Sequence, residues 1–280
     1  MIEGCAGLTD EQLAAVADLE RRVLAHDGGR LKLEWATLGA RDRERVEDLL
    51  AWDGSILVGF AGIYQFGGGQ VEIAGMVAPE ARRRGIGARL LDAALAQVRA
   101  RGKPDALLVV PAGSAGGREL ALSRGATLNH REHRLMLTGE PADGHSDPRV
   151  TLRPAGPEDV ELMLELLSAG FGSAPEGMAE QLGSDERTLI VLRDGDPVGT
   201  VRLSLEDGVG GIYGFVIHPD LQGRGIGRDV LRRACRQLRA DGAREVGLEV
   251  EITNEAALGL YLSTGFARVA GEDYWRVSVG

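Results

Sequence analysis

A chain of 280 residues that carries one loop-and-helix motif twice, 140 positions apart, is constrained first of all to fold as two related domains. Met76-Val-Ala-Pro-Glu-Ala-Arg-Arg-Arg-Gly-Ile-Gly87 returns as Val216-Ile-His-Pro-Asp-Leu-Gln-Gly-Arg-Gly-Ile-Gly227, with Pro79 over Pro219, Gly85 over Gly225 and Gly87 over Gly227. The register holds without a gap through the helix-stop glycines Gly102 and Gly242 to a late turn at Gly125 and Gly265. Between the copies, Thr138–Pro148 is polar and rich in breakers, the composition of a linker. These cues predict an N-terminal domain over residues 1–138, a linker over 139–148 and a C-terminal domain over 149–280.

Two domains of this length, in a chain that is 44% hydrophobic, can each bury a core. The formal charge of −10 opposes a polyanion as principal partner, because binding a phosphate backbone rests on many Lys and Arg contacts. Nucleic acid is therefore not expected. Only Cys5 and Cys235 are present, and Cys235 falls on the apolar face of a predicted helix, so a disulfide framework is not expected and a reducing compartment is. The opening residues carry no basic end followed by a long apolar run, and no segment approaches membrane-spanning length. The expectation is a cytoplasmic protein without a membrane partner.

Hydrophobic periodicity predicts an amphipathic helix over Glu11–Leu24 and a hairpin of strands Ser55–Tyr64 and Val71–Val77, turning at Gly67–Gly69. Ile86, Leu90, Leu91, Ala94, Leu95 and Val98 mark one face of a helix that stops at Gly102, and Ala106–Val110 reads as a buried strand. The second half repeats the order, with a helix over Pro157–Ala169, strands at Thr188–Leu192, Pro197–Leu205 and Gly211–Ile217, a helix from Ile226 and a strand at Glu245–Val250. Interleaved strands and helices predict a mixed α/β sheet with helices on its faces in each domain.

In the second copy Pro219 ends a strand and Gln222-Gly-Arg-Gly-Ile-Gly227 opens a helix. Glycines there let the backbone turn tightly, and the free N–H groups of the first helical turn, aided by the helix dipole, form a site for phosphate oxygens. A P-loop would need Gly-Lys-Ser/Thr, which is absent, and a dinucleotide fingerprint would need a third glycine where Arg228 stands. The alternative is a glycine turn that merely joins strand to helix. Further on, Asn254 is a good N-cap, and Ala257, Leu258, Tyr261 and Leu262 share one helical face, which aims Tyr261 at the sheet. Gly265 is a natural stop.

Together these segments resemble the GNAT acetyltransferase superfamily, whose pattern is Gln/Arg-x-x-Gly-x-Gly/Ala, then Asn-x-x-Ala-x-x-x-Tyr followed by Gly-Phe. Gln222, Gly225 and Gly227 match the first part, and Asn254, Ala257, Tyr261, Gly265 and Phe266 the second. The resemblance implies acetyl-CoA as co-substrate, held at its pyrophosphate by backbone N–H groups of Gly223, Arg224, Gly225, Ile226, Gly227 and Arg228. Val216 and Ile217 would pair with the pantetheine arm, Asn254 would contact it, and Tyr261 would protonate the departing thiolate. A phenol is neutral at pH 7 and can donate that proton. The alternative for Tyr261 is a core aromatic.

Leu248-Glu-Val-Glu251 alternates, so Glu249 and Glu251 face one side of a strand. Glu249 stands where ribosomal-protein alanine acetyltransferases of the same superfamily place a catalytic glutamate; a solvated strand glutamate is the other reading. The acceptor would be a primary amine on a small molecule or peptide, attacking directly, since no Ser-His or Cys-His nucleophile pair is visible. The resemblance places the acceptor against roughly Asp159–Leu182, a segment whose cues, Phe171, Gly172 and Met178, are generic. Two rival readings are a non-catalytic acyl-CoA sensor and a transferase that uses another acyl-CoA.

The 140-residue offset puts Val109 under Glu249, Ser114 under Asn254, Ala121 under Tyr261 and Ala126 under Phe266. The first copy keeps the anion loop and lacks the proposed acid and base. That asymmetry resembles mycothiol synthase and related tandem GNAT proteins, in which the C-terminal half does the chemistry. The departure is Gly211, which aligns where those synthases carry a glutamate. Val77, Arg82, Arg83, Arg84, Gly85, Ile86 and Gly87 form a candidate second CoA site, with the arginines meeting CoA phosphates or water. No metal site is expected: His130 and His133 should face opposite sides of a strand, and no Cys or carboxylate cluster joins them. His218 reads as a turn residue.

Overall fold

The computed structural model describes residues 1–65, 70–172 and 187–279, so the turn expected at Gly67–Gly69 and the acceptor cue Met178 lie outside the described residues. The chain divides into two compact units: one takes the chain up to Arg131 together with the stretch from Ala270 onward, and the other takes Glu132–Val269.

In the first unit, β1 (Ile2–Cys5), β2 (Asp48–Asp53), β3 (Ile56–Gln65), β4 (Val71–Val77) and β5 (Asp105–Pro111) lie in sequence order, and the last strand of the chain, β12 (Phe266–Ser278), follows β5. Helices α1 (Asp10–Asp27), α2 (Trp35–Gly39), α3 (Ile86–Ala100) and α4 (Ala115–Ser123) complete it. Thr9 starts α1 with a capping box, its hydroxyl accepting from Gln12 N–H and Gln12 reaching back to Thr9 N–H. Val16, Leu19 and Val23 of α1, Leu90, Leu91 and Ala94 of α3, and the apolar run of β5 are buried in one core.

In the second unit the order is β6 (Thr127–Leu137), β11 (Glu245–Glu251), β10 (Val209–Ile217), β9 (Asp196–Glu206), β8 (Thr188–Arg193) and β7 (Val150–Pro154). Its helices are α5 (Val160–Phe171), α6 (Ile226–Ala240) and α7 (Glu255–Thr264). Ile226, Val230, Leu231, Ala234, Cys235 and Leu238 of α6 pack with Leu248 and Val250 of β11 and Tyr261 of α7. Cys5 and Cys235 are buried and form no disulfide; burial pushes their thiols up to about 11 and about 12.

The units depart from a simple division at the linker. Glu132–Met136 of β6 pair antiparallel with Gly247–Glu251, so the last strand of the first half completes the second unit. Glu272–Ser278 pair antiparallel with Asp105–Pro111, so the last strand of the second half completes the first unit. The halves exchange their final strands. The 139–148 segment, read from composition as a linker, is also tied down within the second unit. Ala142 N–H donates to Thr264 O and Asp147 N–H to the Asp229 carboxylate, while Arg233 donates to Val150 O, Asp147 O and Ser146 Oγ. Among the described residues no helix is long and apolar enough to cross a membrane.

Candidate active site

In each unit the two parallel central strands pair only at their start. β10 and β11 are in register from Val209–Glu245 to Gly211–Gly247, and β4 and β5 at Glu72–Leu107 and Ile73–Leu108. Beyond these points β10 keeps its other neighbour, with Val216 opposite Thr200 and Ile217 opposite Gly199. The edge of Val216 and Ile217 that faces away from β9 thus has ladder groups to offer an extended ligand.

Both repeated loops then turn into their helices with the same backbone. The residue before the short 3-10 turn has φ −47°, ψ 131° at His218 and φ −51°, ψ 134° at Ala78. Gln222 and Arg82 both have φ −66°, ψ 163°, and Gly225 and Gly85 are both left-handed, at φ 82° and 77°. The side chains at 222 and 82 do the same job: Gln222 Nε2 donates to Ile217 O at 2.9 Å and Arg82 Nε to Val77 O at 3.1 Å. Neither α6 nor α3 has a side-chain cap, whereas α1, α4 and α7 are capped by Thr9, Ser114 and Asn254. Helix-terminal N–H groups left without a side-chain cap want an anion or water.

This loop fits a pyrophosphate. A Cβ added at Gly223 (φ +74°) or Gly225 would meet no atom within 4 Å, so the loop presents bare backbone to open space. Gly227 is closer set, with Leu260, Ile217 and Phe215 at 3.4–3.8 Å from an added Cβ. Arg224 and Arg228 are exposed and reach Asp220 O and Ser263 Oγ.

Tyr261 lies on the α7 face turned to the sheet, 8% exposed, with its ring edge-on to Phe266 at 6.1 Å. Burial alone pushes its phenol up to about 12, so it is protonated at any ordinary pH. Asn254 caps α7, its Oδ1 accepting from Ala257 N–H at 3.0 Å. Glu249 points the other way from Leu248 and Val250, which are buried in the core with Tyr261. It is 17% exposed and faces Arg134 of β6, 3.8 Å from the guanidinium. Sequence reasoning did not find Arg134, because it enters through the exchanged strand. The acid and base candidates therefore stand on opposite faces of β11.

In the first copy, Val109 and Ala121 are buried apolar residues where the second has Glu249 and Tyr261. Ser114 keeps the capping role of Asn254, accepting from Gly117 N–H at 3.1 Å. The three arginines meet carboxylates: Arg82 pairs bidentately with Asp27, Arg83 with Glu119 and Arg84 with Asp53. His130 stacks on Tyr274 at 4.1 Å and His133 lies opposite Val250. His218 accepts from Asp220 N–H, as a turn residue does. No group of three potential metal ligands occurs among the described residues.

Residues 15–121 and 160–266 each match the acetyltransferase (GNAT) family. The chain is 32% identical to the mycothiol acetyltransferase of Kytococcus sedentarius, across 94% of this chain and 93% of that one. It is 30% identical to the mycothiol acetyltransferase of Streptomyces avermitilis, across 95% and 92%. Among solved structures, a GCN5-related N-acetyltransferase from Sphaerobacter thermophilus superposes with a TM-score of 0.82 at 20% identity, covering 100% of this chain and 95% of that one. A tandem GNAT protein from the clavulanic acid biosynthesis pathway superposes with a TM-score of 0.75 at 17% identity, covering 100% and 98%. The repeat read from the glycines is thus a repeated domain, and the chain belongs to the GNAT acetyltransferase family as a tandem N-acetyltransferase.

Proposed function

We propose that the second copy holds acetyl-CoA and passes its acetyl group to a primary amine by direct attack. The observation that carries this is the asymmetry between two loops of identical backbone, only one of which is accompanied by a buried phenol and a strand carboxylate. Backbone N–H groups from Gly223 to Arg228 hold the pyrophosphate, Gln222 fixes the loop to Ile217 O, and the open edge of Val216 and Ile217 takes the pantetheine arm. Acetyl-CoA supplies an activated thioester. Glu249 removes a proton from the acceptor ammonium, directly or through water, so that the amine lone pair is free to attack. Tyr261, on the other face of β11, donates its proton where the thiolate develops. Its raised proton affinity would make it a poor acid in water, but the dry surroundings that destabilise a phenolate destabilise a thiolate too. Together the two groups are worth about 10²–10⁴-fold each in rate.

A second ligand site in the first copy is supported by one further feature. Arg83 holds a left-handed backbone, φ +60°, where the second copy has Gly223. That costs a non-glycine residue about 1–2 kcal/mol, yet the anion-binding turn is kept. Two of the pairs that occupy its arginines are largely exposed, Arg83–Glu119 at 84% and 64% and Arg84–Asp53 at 57% and 58%, and such pairs contribute about 0–1 kcal/mol. A CoA phosphate can displace them. Without an acid or base this copy contributes no turnover. The protein acts in the cytoplasm on this reading.

Transfer from labelled acetyl-CoA to a panel of small-molecule amines, peptides and aminoglycosides tests the proposal. Acetylated product with at least one amine, abolished by Gly225→Val, is the expected result. Acyl-CoA binding without transfer to any amine would favour a non-catalytic sensor, and transfer only from a bulkier thioester such as succinyl-CoA would replace the donor.

A further inference from the structure

Arg134 comes to the second unit on the exchanged strand. Glu132–Met136 pair residue by residue with Gly247–Glu251, which sets Arg134 directly opposite Glu249 and Met136 directly opposite Gly247. Directly opposite residues of an antiparallel pair share a face. The Arg134 guanidinium lies 3.8 Å from Glu249 Oε1, and the two side chains are 11% and 17% exposed. It also lies across Gly247: a Cβ built there would fall 2.7 Å from Arg134 Nη2 and 2.9 Å from its Cζ, with Met136 Sδ at 2.5 Å. Gly247 sits inside β11 without a left-handed backbone, so no turn demands it, and a glycine inside a strand marks a close approach. Here the approaching group is the Arg134 side chain.

The first unit shows the same place without a base. The 140-residue offset carries Arg134 to Tyr274, Glu249 to Val109, Met136 to Arg276 and Gly247 to Leu107, and the pairs Tyr274–Val109 and Arg276–Leu107 are observed. Val109 and Leu107 are buried apolar side chains. Tyr274 is buried as well, its hydroxyl meeting the Lys32 ammonium. The carboxylate, the guanidinium opposite it and the glycine that gives the guanidinium room thus occur together in one copy and are replaced together in the other.

We infer that Arg134 is a positioning residue for acetyl transfer: its charge holds the Glu249 carboxylate ionised and in place, so that the base of the second copy is assembled from both halves of the chain. A carboxylate that has lost most of its water stays charged when an opposite charge stands within about 4–6 Å. Arginine suits the task because its guanidinium keeps its proton at any ordinary pH. At 3.8 Å the contact is longer than a hydrogen bond, so Arg134 acts as a charge, and no proton passes from it to the carboxylate or to the substrate. The proton that Glu249 takes comes from the acceptor ammonium. The inference rests on Glu249 as the base, the reading proposed above.

The direct test needs no acceptor. The side-chain carboxyl of Glu249 is followed by carbon NMR across the acidic range in the full chain, labelled at glutamate and saturated with acetyl-CoA, its resonance identified by its loss in Glu249→Gln. Arg134→Met should raise the titration midpoint by about one unit, the low end of the 1–3 that a neighbouring cation is worth, because both groups are partly exposed. Arg134→Lys should keep most of the parent value, and Gly247→Ala, which displaces the guanidinium without removing it, should shift the midpoint the same way by less. Kinetics with glucosamine, tetraglycine and kanamycin as amine probes read the consequence. Below both midpoints kcat/KM in Arg134→Met should fall about tenfold, as the ionised fraction does, and the loss should shrink as pH rises above both. In the Glu249→Gln background Arg134→Met should have no further effect. An unmoved midpoint, a loss of rate equal at every pH, or a loss that persists in the Glu249→Gln background would overturn the inference. Glu249→Gln as fast as the parent would refute the base reading and the positioning role with it, and a midpoint that still moves in Arg134→Met distinguishes that failure from failure of the ion pair.

Discussion

Replacing Gly225 by valine separates what the loop costs the fold from what it does for the ligand. Gly225 has φ +82°, and a side chain there would meet no protein atom within 4 Å. The folding cost is therefore conformational, about 1–2 kcal/mol for an L-residue in the left-handed region. For a chain of this size that lowers Tm by roughly 2–8 °C. The binding cost should be larger. If the new side chain denies a phosphate two hydrogen bonds to a charged group, at about 1.5–3 kcal/mol each, the loss of about 3–6 kcal/mol raises Kd by roughly 10²–10⁴-fold. Gly85→Val is the internal control: its φ is +77°, and its added Cβ meets only the flexible end of Arg89 at 3.4 Å. It should show a similar drop in Tm with turnover retained. Calorimetric titration with acetyl-CoA and thermal unfolding of both variants are the assays. Undiminished affinity in Gly225→Val, or turnover lost in Gly85→Val alone, would refute the assignment of roles to the two loops.

Three further outcomes follow from the same geometry. Glu249→Gln should slow transfer most at low pH, where removing a proton from the acceptor ammonium is hardest; an unchanged rate and pH profile would move the base elsewhere. A fragment of residues 149–280 lacks the β6 segment that pairs with β11, and a chain ending at Val269 lacks the partner of β5. Circular dichroism and urea unfolding should show neither fragment reaching the stability of its unit in the full chain; a fully stable 149–280 fragment would show the exchanged strand to be dispensable. Because burial raises the Tyr261 phenol to about 12 from an ordinary value near 10, its contribution is fully present below pH 10 and is lost as pH rises toward 12. Relative to Tyr261→Phe, the parent should lose about 2–3 kcal/mol of stability across that window, and parallel alkaline unfolding curves would contradict the burial.

Much of the fold was legible because it rests on local signals. The strand Val71–Val77 was read at its observed bounds, and the helices from Ile86 and Ile226 begin where the glycine loops predict. The helix read as Glu11–Leu24 spans Asp10–Asp27: its start is set by the Thr9–Gln12 capping box, which periodicity does not register, and its end by Gly28, whose backbone N–H donates to Leu24 O. What escaped was non-local. β1, β7 and β12 are edge or exchanged strands whose apolar residues are interrupted by polar ones, and pairing rather than pattern makes them strands. The exchange itself leaves no mark on periodicity. The linker composition was real, but Arg233, Asp229 and Thr264 hold that segment down through backbone atoms that any sequence would offer. The Tyr261 face and the Glu249 alternation were readable in advance, whereas Arg134 needed the register of β6 against β11.

The central claim, that the second copy performs the transfer with Tyr261 as the acid, is tested most directly by single-turnover acetyl transfer with Tyr261→Phe. The account predicts a rate lower by about 10²–10⁴-fold with acetyl-CoA affinity nearly unchanged, since a proton donor acts in the transition state and not in binding. A Tyr261→Phe protein that transfers acetyl as fast as the parent would make Tyr261 a core aromatic and contradict the claim.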